Sequence, residues 1–282
     1  MTFFSAPDGT KLAYHEVGTG DPLVCLPGGP MRDSRYLGDL GGLSAHRRLI
    51  LLDLRGTGES SVPDDTASYR CDRLVDDVEA LRAHLGLDQM DLLAHSAGAN
   101  LAELYVARYP RRVSRLALIA PSLLGVAITV TAQDRRDAVQ LRAGEAWFPT
   151  ASAALARIIA GSGTAEDRNA VVPFFYGRWN AATKAHSATE ASERNQEAAA
   201  AFGAPGVFEP HATRAALAMF KAPTLILAGE VDINSPPSRA ADLAALFPRG
   251  TFVVQSGAGH SPWLDDSERF VSTAAAFLTD RL

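Results

Sequence analysis

Residues 92–98 read LLAHSAG, an apolar run that ends in a turn of small residues around Ser96. The run predicts a buried strand, and the residues that follow, up to Pro110, predict a helix. A sharp turn between a strand and a helix exposes the serine hydroxyl and leaves backbone N–H groups at the helix start to receive an oxyanion. The pattern is G-x-S-x-G with Ala94 in the first position, so Ser96 is a candidate nucleophile. An ordinary strand end followed by a serine N-cap is the alternative.

Strand and helix patterns alternate on both sides of this turn. Residues Lys11–Val17 alternate between apolar and polar after an Asp-Gly turn signal, which predicts an antiparallel edge strand or hairpin. Five further apolar runs predict buried strands: Pro22–Leu26, Arg48–Leu52, Arg115–Ala120, Pro223–Ala228 and Thr251–Gln255. Helical spacing marks the segments Arg73–Leu85, Ser238–Leu246 and Pro262 to Leu282. Strands that alternate with helices predict an α/β fold, with a mostly parallel sheet and helices on both faces.

The alternation stops between residues 124 and 214. This segment is rich in alanine, is helical in character and is too long for a simple crossover connection. We therefore expect a core domain built from residues 1–123 and 215–282, and an inserted helical cap, or lid, built from residues 124–214. The cap is expected to lie over the C-terminal edge of the sheet.

Composition and charge argue against several classes of protein. The 282 residues suffice for one large α/β domain with an insertion, and 47% hydrophobic and 21% charged residues are typical of soluble globular proteins. A net charge of −5 and the lack of a Lys/Arg-rich run argue against nucleic acid and against an anionic membrane surface. Cys25 and Cys71 are too few for a disulfide framework or a zinc site, which favours a reducing compartment.

The chain also shows no sign of export or of a bound cofactor. Its N-terminus has no basic segment followed by a long apolar one, and no stretch approaches the roughly 20 apolar residues that span a bilayer. Because no H-E-x-x-H pattern or carboxylate cluster is present, neither a metal nor a cofactor is expected. We expect a cytoplasmic protein whose partner is a small-molecule or short-peptide substrate. Its length does not predict an oligomeric state.

A serine hydroxyl reacts at neutral pH only when a base removes its proton and a carboxylate orients that base. Residues 224–232 form an apolar strand that ends in G-x-x-D at Asp232, and the next strand leads through a glycine-rich loop to His260. Ligands bind at the carboxyl ends of parallel strands, so Ser96, Asp232 and His260 are expected to converge on one edge of the sheet. Their order along the chain is the one expected for this architecture.

Other roles for these residues are open at this point. Asp232 could only cap a loop, and His260 could only begin a helix. Glu230 is the competing acid, although it lies nearer to the strand end. His95 adjoins Ser96, and the turn should direct its ring away from the hydroxyl, so we interpret His95 as a packing residue or part of the site wall.

An oxyanion requires two hydrogen-bond donors. The N–H of Ala97 is one of them if the turn forms, and the loop after the strand Pro22–Leu26, which reads PGGP, is expected to supply the other. Glycines permit the close backbone approach that such a loop needs. We favour the N–H of Gly29 over that of the neighbouring Gly28. A Gly-Gly-Pro sequence is also common in ordinary turns.

A second glycine-containing loop, DLRGTGES, occupies residues 53–60. It matches neither phosphate-binding pattern, G-x-x-x-x-G-K-[ST] or G-x-G-x-x-G, so nucleotide binding is not expected. We expect Asp53 and Arg55 to brace the loops at this edge of the sheet without touching the reacting atoms.

Together these segments resemble the α/β-hydrolase superfamily over nearly the whole chain. The P-G-G-P loop, D-x-R-G-x-G-x-S, the serine turn, G-x-x-D and G-H occur in the family's order and at its usual spacing. The chain is most similar to the proline iminopeptidase group, whose members carry H-G-G-P-G and D-x-R-G-x-G-x-S. That resemblance implies an α/β-hydrolase fold and an enzyme that removes an N-terminal proline, with cap glutamates that hold the free amine of the substrate.

The chain departs from that group in two places. Its first glycine loop reads PGGPM, without the leading histidine and the trailing glycine. The family's cap motif pairs Trp with Glu, whereas here Trp179 precedes Asn180, which lacks the negative charge that would attract a protonated amine. Glu190, Glu193 and Glu197 fall on one helical face and could substitute, although such a face is also typical of a solvent-exposed surface.

The cap supplies the candidate substrate-binding residues Trp147, Phe175, Trp179 and Asn180. Aromatic surface there suits a hydrophobic acyl or leaving group, and the same side chains are equally suited to hold the cap onto the core.

Three functional hypotheses follow. The leading one is a serine hydrolase that cleaves an ester or amide bond of a small hydrophobic substrate through an acyl-enzyme. The alternative is a proline iminopeptidase. The third, from a different class, is a ligand-binding protein of α/β-hydrolase fold that binds without turnover.

Overall fold

In the computed structural model, which describes residues 1–279, eight strands form a single sheet. The strands are β1 (Thr2–Ser5), β2 (Lys11–Val17), β3 (Pro22–Leu26), β4 (Arg48–Asp53), β5 (Met90–His95), β6 (Val113–Ile119), β7 (Thr224–Gly229) and β8 (Gly250–Gln255). They lie in the order β1-β2-β4-β3-β5-β6-β7-β8. Strands β3 to β8 pair in parallel, whereas β1 and β2 run antiparallel to their neighbours. The predicted mostly parallel sheet is confirmed.

The central strands are buried on both faces because apolar side chains alternate between two cores. All six residues of β5 are buried. Leu92 and Ala94 point into the core on one face of the sheet, and Leu93 points into the core on the other. This alternation follows from the pleat of a strand, and it makes an uninterrupted apolar run such as LLA the natural sequence for this position.

Helices cover both faces of the sheet. They are α1 (Cys71–His84), α2 (Gly98–Arg108), α3 (Ala132–Gln140), α4 (Phe148–Ile159), α5 (Ala165–Ala170), α6 (Ala181–Ala188), α7 (Glu190–Glu193), α8 (Gln196–Phe202), α9 (Pro210–Leu217), α10 (Pro237–Ala244), α11 (Pro262–Asp265) and α12 (Ser267–Thr279). Helices α1, α2 and α10 pack into one core and α12 into the other. Across residues 1–279, none of these helices is both long and apolar enough to cross a bilayer.

The end of the chain differs from the predicted single helix from Pro262 to Leu282, and that prediction is wrong. The backbone is extended at Asp266 (φ −150°, ψ 88°), which separates α11 from α12. The Asp266 carboxylate accepts a hydrogen bond from the N–H of Arg269 at 3.1 Å, as the side chain of an N-cap does. The predicted end of the helix, residues 280–282, lies outside the described residues.

Between β6 and β7 the described chain forms the helices α3 to α9 and no strand of the sheet. The first part builds a separate apolar cluster, which includes Val139 and Phe174 and is joined by Ile233 from the loop after β7. The last part packs on the main core instead, through Phe202 of α8 and Leu217 of α9. The boundaries of a cap at residues 124 and 214 stay a prediction.

Candidate active site

Ser96 lies in the turn between β5 and α2 and has a φ of 52°, in the left-handed region. This conformation is strained for a residue with a side chain, and it persists where the surrounding structure enforces it. Here the neighbouring strand does so, because the N–H of Ser96 donates to the carbonyl of Ile119 at 3.0 Å. The carbonyl of Ser96 also accepts the N–H of Ser122 at 2.9 Å. The hydroxyl therefore has a fixed position at the carboxyl end of β5.

Two glycines allow the loop after β3 to approach the serine turn closely. A Cβ at Gly98 would lie 2.6 Å from the carbonyl oxygen of Pro27. A Cβ at Gly28 would lie 2.8 Å from the Cβ of Ser96. Distances this short leave no room for a side chain at either position. The PGGP loop is thereby packed directly against the serine turn.

The structure brings Ser96, Asp232 and His260 together. Nε2 of His260 lies 2.8 Å from Oγ of Ser96, and Nδ1 of His260 lies 2.8 Å from Oδ2 of Asp232. The second oxygen of Asp232, Oδ1, accepts the N–H groups of Asn234 at 2.8 Å and Ser235 at 3.1 Å. Asp232 is completely buried. Two backbone donors and one imidazole therefore hold its carboxylate in place.

The electrostatics of the site favour a proton on His260. Burial lowers the pKa of this side chain, but the negative charge of Asp232 and the hydrogen bond to it outweigh burial, so the pKa is raised above the usual 6.5. The charge of Glu190, from α7, acts in the same direction. Because Nδ1 donates to Asp232, Nε2 keeps its lone pair for the hydroxyl of Ser96. The arrangement can therefore transfer a proton from Ser96 to His260.

Glu230, the competing acid, is engaged elsewhere. Its Oε2 accepts hydrogen bonds from Oγ of Ser256 at 2.8 Å and from the N–H of Gly257 at 2.7 Å. These bonds stabilise the start of the loop that leads to His260. Asp232, and not Glu230, is the carboxylate in contact with the imidazole.

The candidate oxyanion donors are the backbone N–H groups of Gly29 and Ala97. Within residues 1–279 neither group donates to another protein atom, so both can bind a ligand oxygen. Gly28 differs, because its N–H donates to the hydroxyl of Tyr36 at 2.7 Å. Gly29 has a φ of 113°, which residues with a side chain rarely adopt. These bonds favour Gly29 over Gly28, and the role of either residue stays a prediction.

The loop after β4 braces this edge of the sheet. Asp53 is completely buried, and its Oδ1 accepts both the N–H of Ser34 at 3.1 Å and the hydroxyl of the same residue at 2.6 Å. Its Oδ2 accepts the N–H of Glu59 at 3.0 Å. Arg55 donates from Nε to the buried carboxylate of Asp77 at 2.8 Å. Asp53 thus joins this loop to Ser34, and Arg55 joins it to α1, in keeping with the bracing role inferred from the sequence.

The candidate substrate-binding residues of the cap occupy different surroundings. Trp147 packs edge-on against Phe174 in the separate apolar cluster, with ring centroids 5.0 Å apart. Phe175 lies next to the reactive groups, because its carbonyl accepts the N–H of His260 at 2.7 Å. Trp179 is partly buried. Contact of any of these side chains with a substrate stays a prediction.

Asn180, the fourth of these candidates, is the N-cap of α6. Its Oδ1 accepts the N–H groups of Ala182 at 2.9 Å and Thr183 at 3.1 Å. Its side chain therefore stabilises a helix end, which is a common use of asparagine at this position.

The three cap glutamates do not share one environment. Glu193 pairs with the buried guanidinium of Arg32, with Nε and Oε2 2.8 Å apart. Glu197 is exposed. Glu190 lies 3.6 Å from Arg194, and its side chain is 47% exposed. Of the three, Glu190 is the one whose negative charge raises the pKa of His260.

Two residues that hold the site together, Tyr36 and Asp265, carry no signal in the sequence. The hydroxyl of Tyr36 lies 2.6 Å from Nδ1 of His95. Asp265 accepts the N–H of Gly259 at 2.8 Å and the N–H of Arg178 at 2.9 Å, and so joins the loop of His260 to the cap. His95 lies 59 positions from Tyr36, and Arg178 lies 87 positions from Asp265, so no short pattern could reveal these two contacts.

No candidate metal centre occurs in the part of the chain that the structure describes, where no group of three or more His, Cys, Asp or Glu side chains could hold an ion. Cys25 and Cys71 are both unpaired and buried. Burial raises the pKa of both thiols.

Known proteins resemble this chain in sequence and in fold. A family model described as the α/β hydrolase fold matches residues 21–267. The proline iminopeptidase of Heyndrickxia coagulans is 36% identical over 110 residues, which are 39% of this chain and 38% of that protein. The cis-3-alkyl-4-alkyloxetan-2-one decarboxylase of Shewanella oneidensis is 33% identical over 118 residues, 41% of this chain and 37% of that protein. An esterase of Exiguobacterium antarcticum superposes with a TM-score of 0.74 and 20% identity over 99% of both chains.

The matched segments span less than half the length of these curated relatives, and the relatives carry the names of different reactions. The structural likeness, at 20% identity, shows a shared fold. The family match is broader, because it covers most of the chain and includes the strands and loops that carry Ser96, Asp232 and His260. The chain therefore belongs to the α/β hydrolase fold family.

Proposed function

We propose that this protein is a serine hydrolase that cleaves an ester or amide bond of a small hydrophobic substrate through an acyl-enzyme. The observation that carries the proposal is the line of hydrogen bonds from Ser96 through His260 to Asp232, with 2.8 Å at both steps. The left-handed backbone at Ser96 and membership of the α/β hydrolase fold family support it.

In the first half of the reaction, Nε2 of His260 takes the proton of the Ser96 hydroxyl while the serine oxygen attacks the substrate carbonyl. A bond forms between that oxygen and the carbonyl carbon, and the carbonyl electron pair moves onto its oxygen. The N–H groups of Gly29 and Ala97 stabilise this oxyanion. When the tetrahedral intermediate collapses, the leaving alcohol or amine departs with the proton from His260, and an acyl-enzyme remains.

In the second half, water replaces the leaving group. His260 accepts a proton from the water, whose oxygen attacks the acyl carbon. The second tetrahedral intermediate then releases the acid, and His260 returns the proton to Ser96. Asp232 stays ionised throughout, since its task is to keep Nδ1 protonated and to stabilise the imidazolium.

The substrate class is inferred from the helical segment between β6 and β7, which we propose acts as a lid over the site. Its apolar cluster contains Phe174 and is joined by Ile233, which follows Asp232 directly in the chain. Phe175 packs on the same cluster and bonds the backbone of His260. Apolar surface beside the reactive groups suits a hydrophobic acyl or leaving group.

The test is hydrolysis of p-nitrophenyl acetate and butyrate by the wild type and by Ser96→Ala. We expect the substitution to reduce kcat by roughly 10⁴- to 10⁶-fold. Ser68→Ala, which removes a hydroxyl from the short 3-10 helix Thr66–Tyr69, is the matched control and should retain full activity. Ester hydrolysis that survives Ser96→Ala undiminished would contradict the proposal.

A fluorophosphonate probe separates an enzyme from a binding protein of the same fold. We expect the probe to label the wild type on the peptide that contains Ser96, and labelling to be absent in Ser96→Ala. A wild type that folds, binds small hydrophobic ligands and is not labelled would favour a ligand-binding protein without turnover.

A second candidate function is that of a proline iminopeptidase. The observation in its favour is the carboxylate of Glu190. Its negative charge raises the pKa of His260, and its distance to the guanidinium of Arg194 is 3.6 Å. A carboxylate in this position could attract the protonated amine of an N-terminal residue. The sequence similarity to a proline iminopeptidase points the same way, although it covers 39% of this chain.

The two functions differ in their response to a prolyl anilide. A peptidase would hydrolyse prolyl p-nitroanilide, would lose this activity when the substrate is N-acetylated, and would show a higher KM in Glu190→Gln. Glu268→Gln removes an exposed carboxylate from α12 and is the matched control. Ester turnover without anilide turnover would favour the esterase.

The compartment is also a proposal. Cys25 and Cys71 are buried and unpaired, as expected for a protein that folds in a reducing environment. We propose a cytoplasmic location, which these two thiols support.

A further inference from the structure

The backbone of His260 is held at both of its polar groups. Its N–H donates to the carbonyl of Phe175 at 2.7 Å, and its carbonyl oxygen lies 2.8 Å from Nε2 of His95. The first partner belongs to the helical segment between β6 and β7, and the second is the residue before Ser96. The position of the imidazole therefore depends on His95 as well as on Asp232.

The protons on His95 can be assigned from its partners. A carbonyl oxygen only accepts hydrogen bonds, so Nε2 must carry a hydrogen to bond His260. Burial, followed by the nearby His260, lowers the pKa of His95 well below 6.5, so the ring is neutral and Nδ1 has a free lone pair. The hydroxyl of Tyr36, 2.6 Å away, must then donate to Nδ1.

The hydroxyl of Tyr36 links this pair to the oxyanion loop. Its oxygen accepts the N–H of Gly28 at 2.7 Å while its hydrogen points to His95. Burial raises the pKa of Tyr36, so the hydroxyl keeps its hydrogen. The bonds run in one direction: the N–H of Gly28 donates to Tyr36, Tyr36 donates to His95, and His95 donates to the carbonyl of His260.

We propose that Tyr36 and His95 are positioning residues that fix the oxyanion loop and the base His260 relative to each other. The inference rests on the proposed hydrolase function. One end of the line of bonds is the residue next to the candidate donor Gly29, and the other end is the base. Neither side chain needs to touch the substrate, and each of their hydrogen-bonding groups is occupied by the protein.

Packing keeps both side chains in place. The ring of His95 lies edge-on to Trp263, with centroids 4.8 Å apart. The guanidinium of Arg32 lies 4.3 Å from the centroid of the Tyr36 ring. Arg32 in turn pairs with Glu193 at 2.8 Å. The ring of Tyr36 is therefore fixed by packing, and its hydroxyl can be removed without moving the ring.

The test is Tyr36→Phe, assayed by ester hydrolysis and by inhibition with a boronic acid, which mimics the tetrahedral intermediate. The substitution leaves the N–H of Gly28 and Nδ1 of His95 without their partner. We expect kcat to fall by about tenfold to a hundredfold while KM changes by less than about threefold, because the loss concerns the transition state. The affinity for the boronic acid should fall by a factor similar to that for kcat.

Tyr105→Phe is the matched control. Tyr105 is also buried, and its hydroxyl donates one hydrogen bond, to Oε2 of Glu79 at 2.7 Å, between α1 and α2. This variant should lose stability with no change in kcat or in boronic acid affinity. If Tyr36→Phe behaves like Tyr105→Phe, the hydroxyl of Tyr36 is merely structural and the proposal is wrong.

A double-mutant cycle tests whether the hydrogen bonds of Tyr36 and His95 depend on each other. If they do, Tyr36→Phe combined with His95→Phe should lower kcat no further than the stronger single substitution. A double variant whose loss of kcat equals the product of the two single losses would overturn the proposal. If Tyr36→Phe does not fold, His95→Gln and His95→Leu replace it. Gln keeps an N–H donor for the carbonyl of His260 and should retain a higher kcat than Leu, whereas equal kcat would overturn the proposal.

All rates are divided by the number of serines that the fluorophosphonate labels. A wild type that is not labelled would mean that the proposed hydrolase function fails. A labelled and active wild type whose kcat per labelled serine is unchanged in Tyr36→Phe would mean that only the positioning role fails.

Discussion

The sheet edge that carries Ser96 and the helical segment between β6 and β7 hold their polar groups in different ways. At the sheet edge, Asp232 and Asp53 are completely buried, and each accepts several hydrogen bonds, mostly from backbone N–H groups of nearby loops. The helical segment reaches this edge through bonds between residues far apart in the chain, such as that between Arg32 and Glu193, which are 161 positions apart. The buried carboxylates at this edge are thus held by the loops around them, and the layer above is attached at points that join residues far apart in the chain.

Asp265 and Phe175 provide two of these points of attachment. The carboxylate of Asp265, 3% exposed, accepts N–H groups from both the His260 loop and the helical segment. The carbonyl of Phe175 accepts the N–H of His260. From this difference we expect that substitutions at the sheet edge abolish the proposed hydrolysis. Substitutions at the attachments should loosen the helical segment and reduce activity less.

The largest expected effect is that of Asp232→Asn at the sheet edge. The amide can still accept the N–H groups of Asn234 and Ser235, but it no longer holds a proton on Nδ1 of His260. We expect kcat for ester hydrolysis to fall roughly 10⁴-fold, as for a triad aspartate elsewhere. Asp242→Asn, an exposed carboxylate on α10, is the control. A loss of kcat of less than about tenfold would show that Asp232 does not assist His260 in the reaction.

The next effect is that of Asp265→Ala, which breaks an attachment. The N–H groups of Gly259 and Arg178 lose their buried acceptor, so the free energy of unfolding should fall by about 1–3 kcal/mol. Limited trypsin digestion should cut faster after Arg178. Asp137→Ala, an exposed aspartate on α3, should change neither measurement. Unchanged cleavage after Arg178 in Asp265→Ala would show that the upper layer is attached mainly elsewhere.

A smaller effect is expected in the pH profile of kcat/KM. Only the neutral imidazole of His260 can accept a proton, and its pKa is raised above 6.5, so activity should fall on the acid side of a pKa above this value. Glu190→Gln removes a negative charge that raises this pKa and should move the acid limb to lower pH. A limb that does not move would mean that the helical segment has no electrostatic influence on the base.

The smallest effect concerns Asn180, the N-cap of α6, whose side chain bonds the helix that follows it and neither attachment. Asn180→Ala removes the cap of α6 and should lower the free energy of unfolding by about 1 kcal/mol with kcat and KM unchanged. Asn180→Asp, which preserves a capping oxygen, should restore stability. A large increase in KM for Asn180→Ala would instead assign the side chain to substrate binding.

The sequence predicted the sheet edge better than the upper layer, for a physical reason. Strands such as β5 are marked by their own apolar residues, and the geometry of the serine turn is marked by small residues within a few positions of Ser96. The positions of Asp232 and His260 follow because parallel strands end at the same edge. Each of these signals is local, so a single sequence reveals it.

The parts that escaped prediction depend on contacts between distant residues. Tyr36 meets His95 across 59 positions, and Asp265 meets Arg178 across 87. The break before α12 arises because Asp266 caps the helix that follows it, and helical spacing continues through the break without a visible change. The use of Asn180 as a helix cap also escapes prediction, because Trp179 and Asn180 resemble the Trp-Glu motif of the proline iminopeptidase group.

The bond between Phe175 and His260 limits how the site can open. Gly259 packs so tightly below this point that a Cβ would lie 2.6 Å from the carbonyl oxygen of Phe175. A movement of the helical segment that separated Phe175 from this point would break the hydrogen bond at the N–H of His260 and release the loop that carries its imidazole. If the helical segment is the proposed lid, residues 175–178 would therefore have to stay in place, and any opening would have to come from movements of the remaining helices.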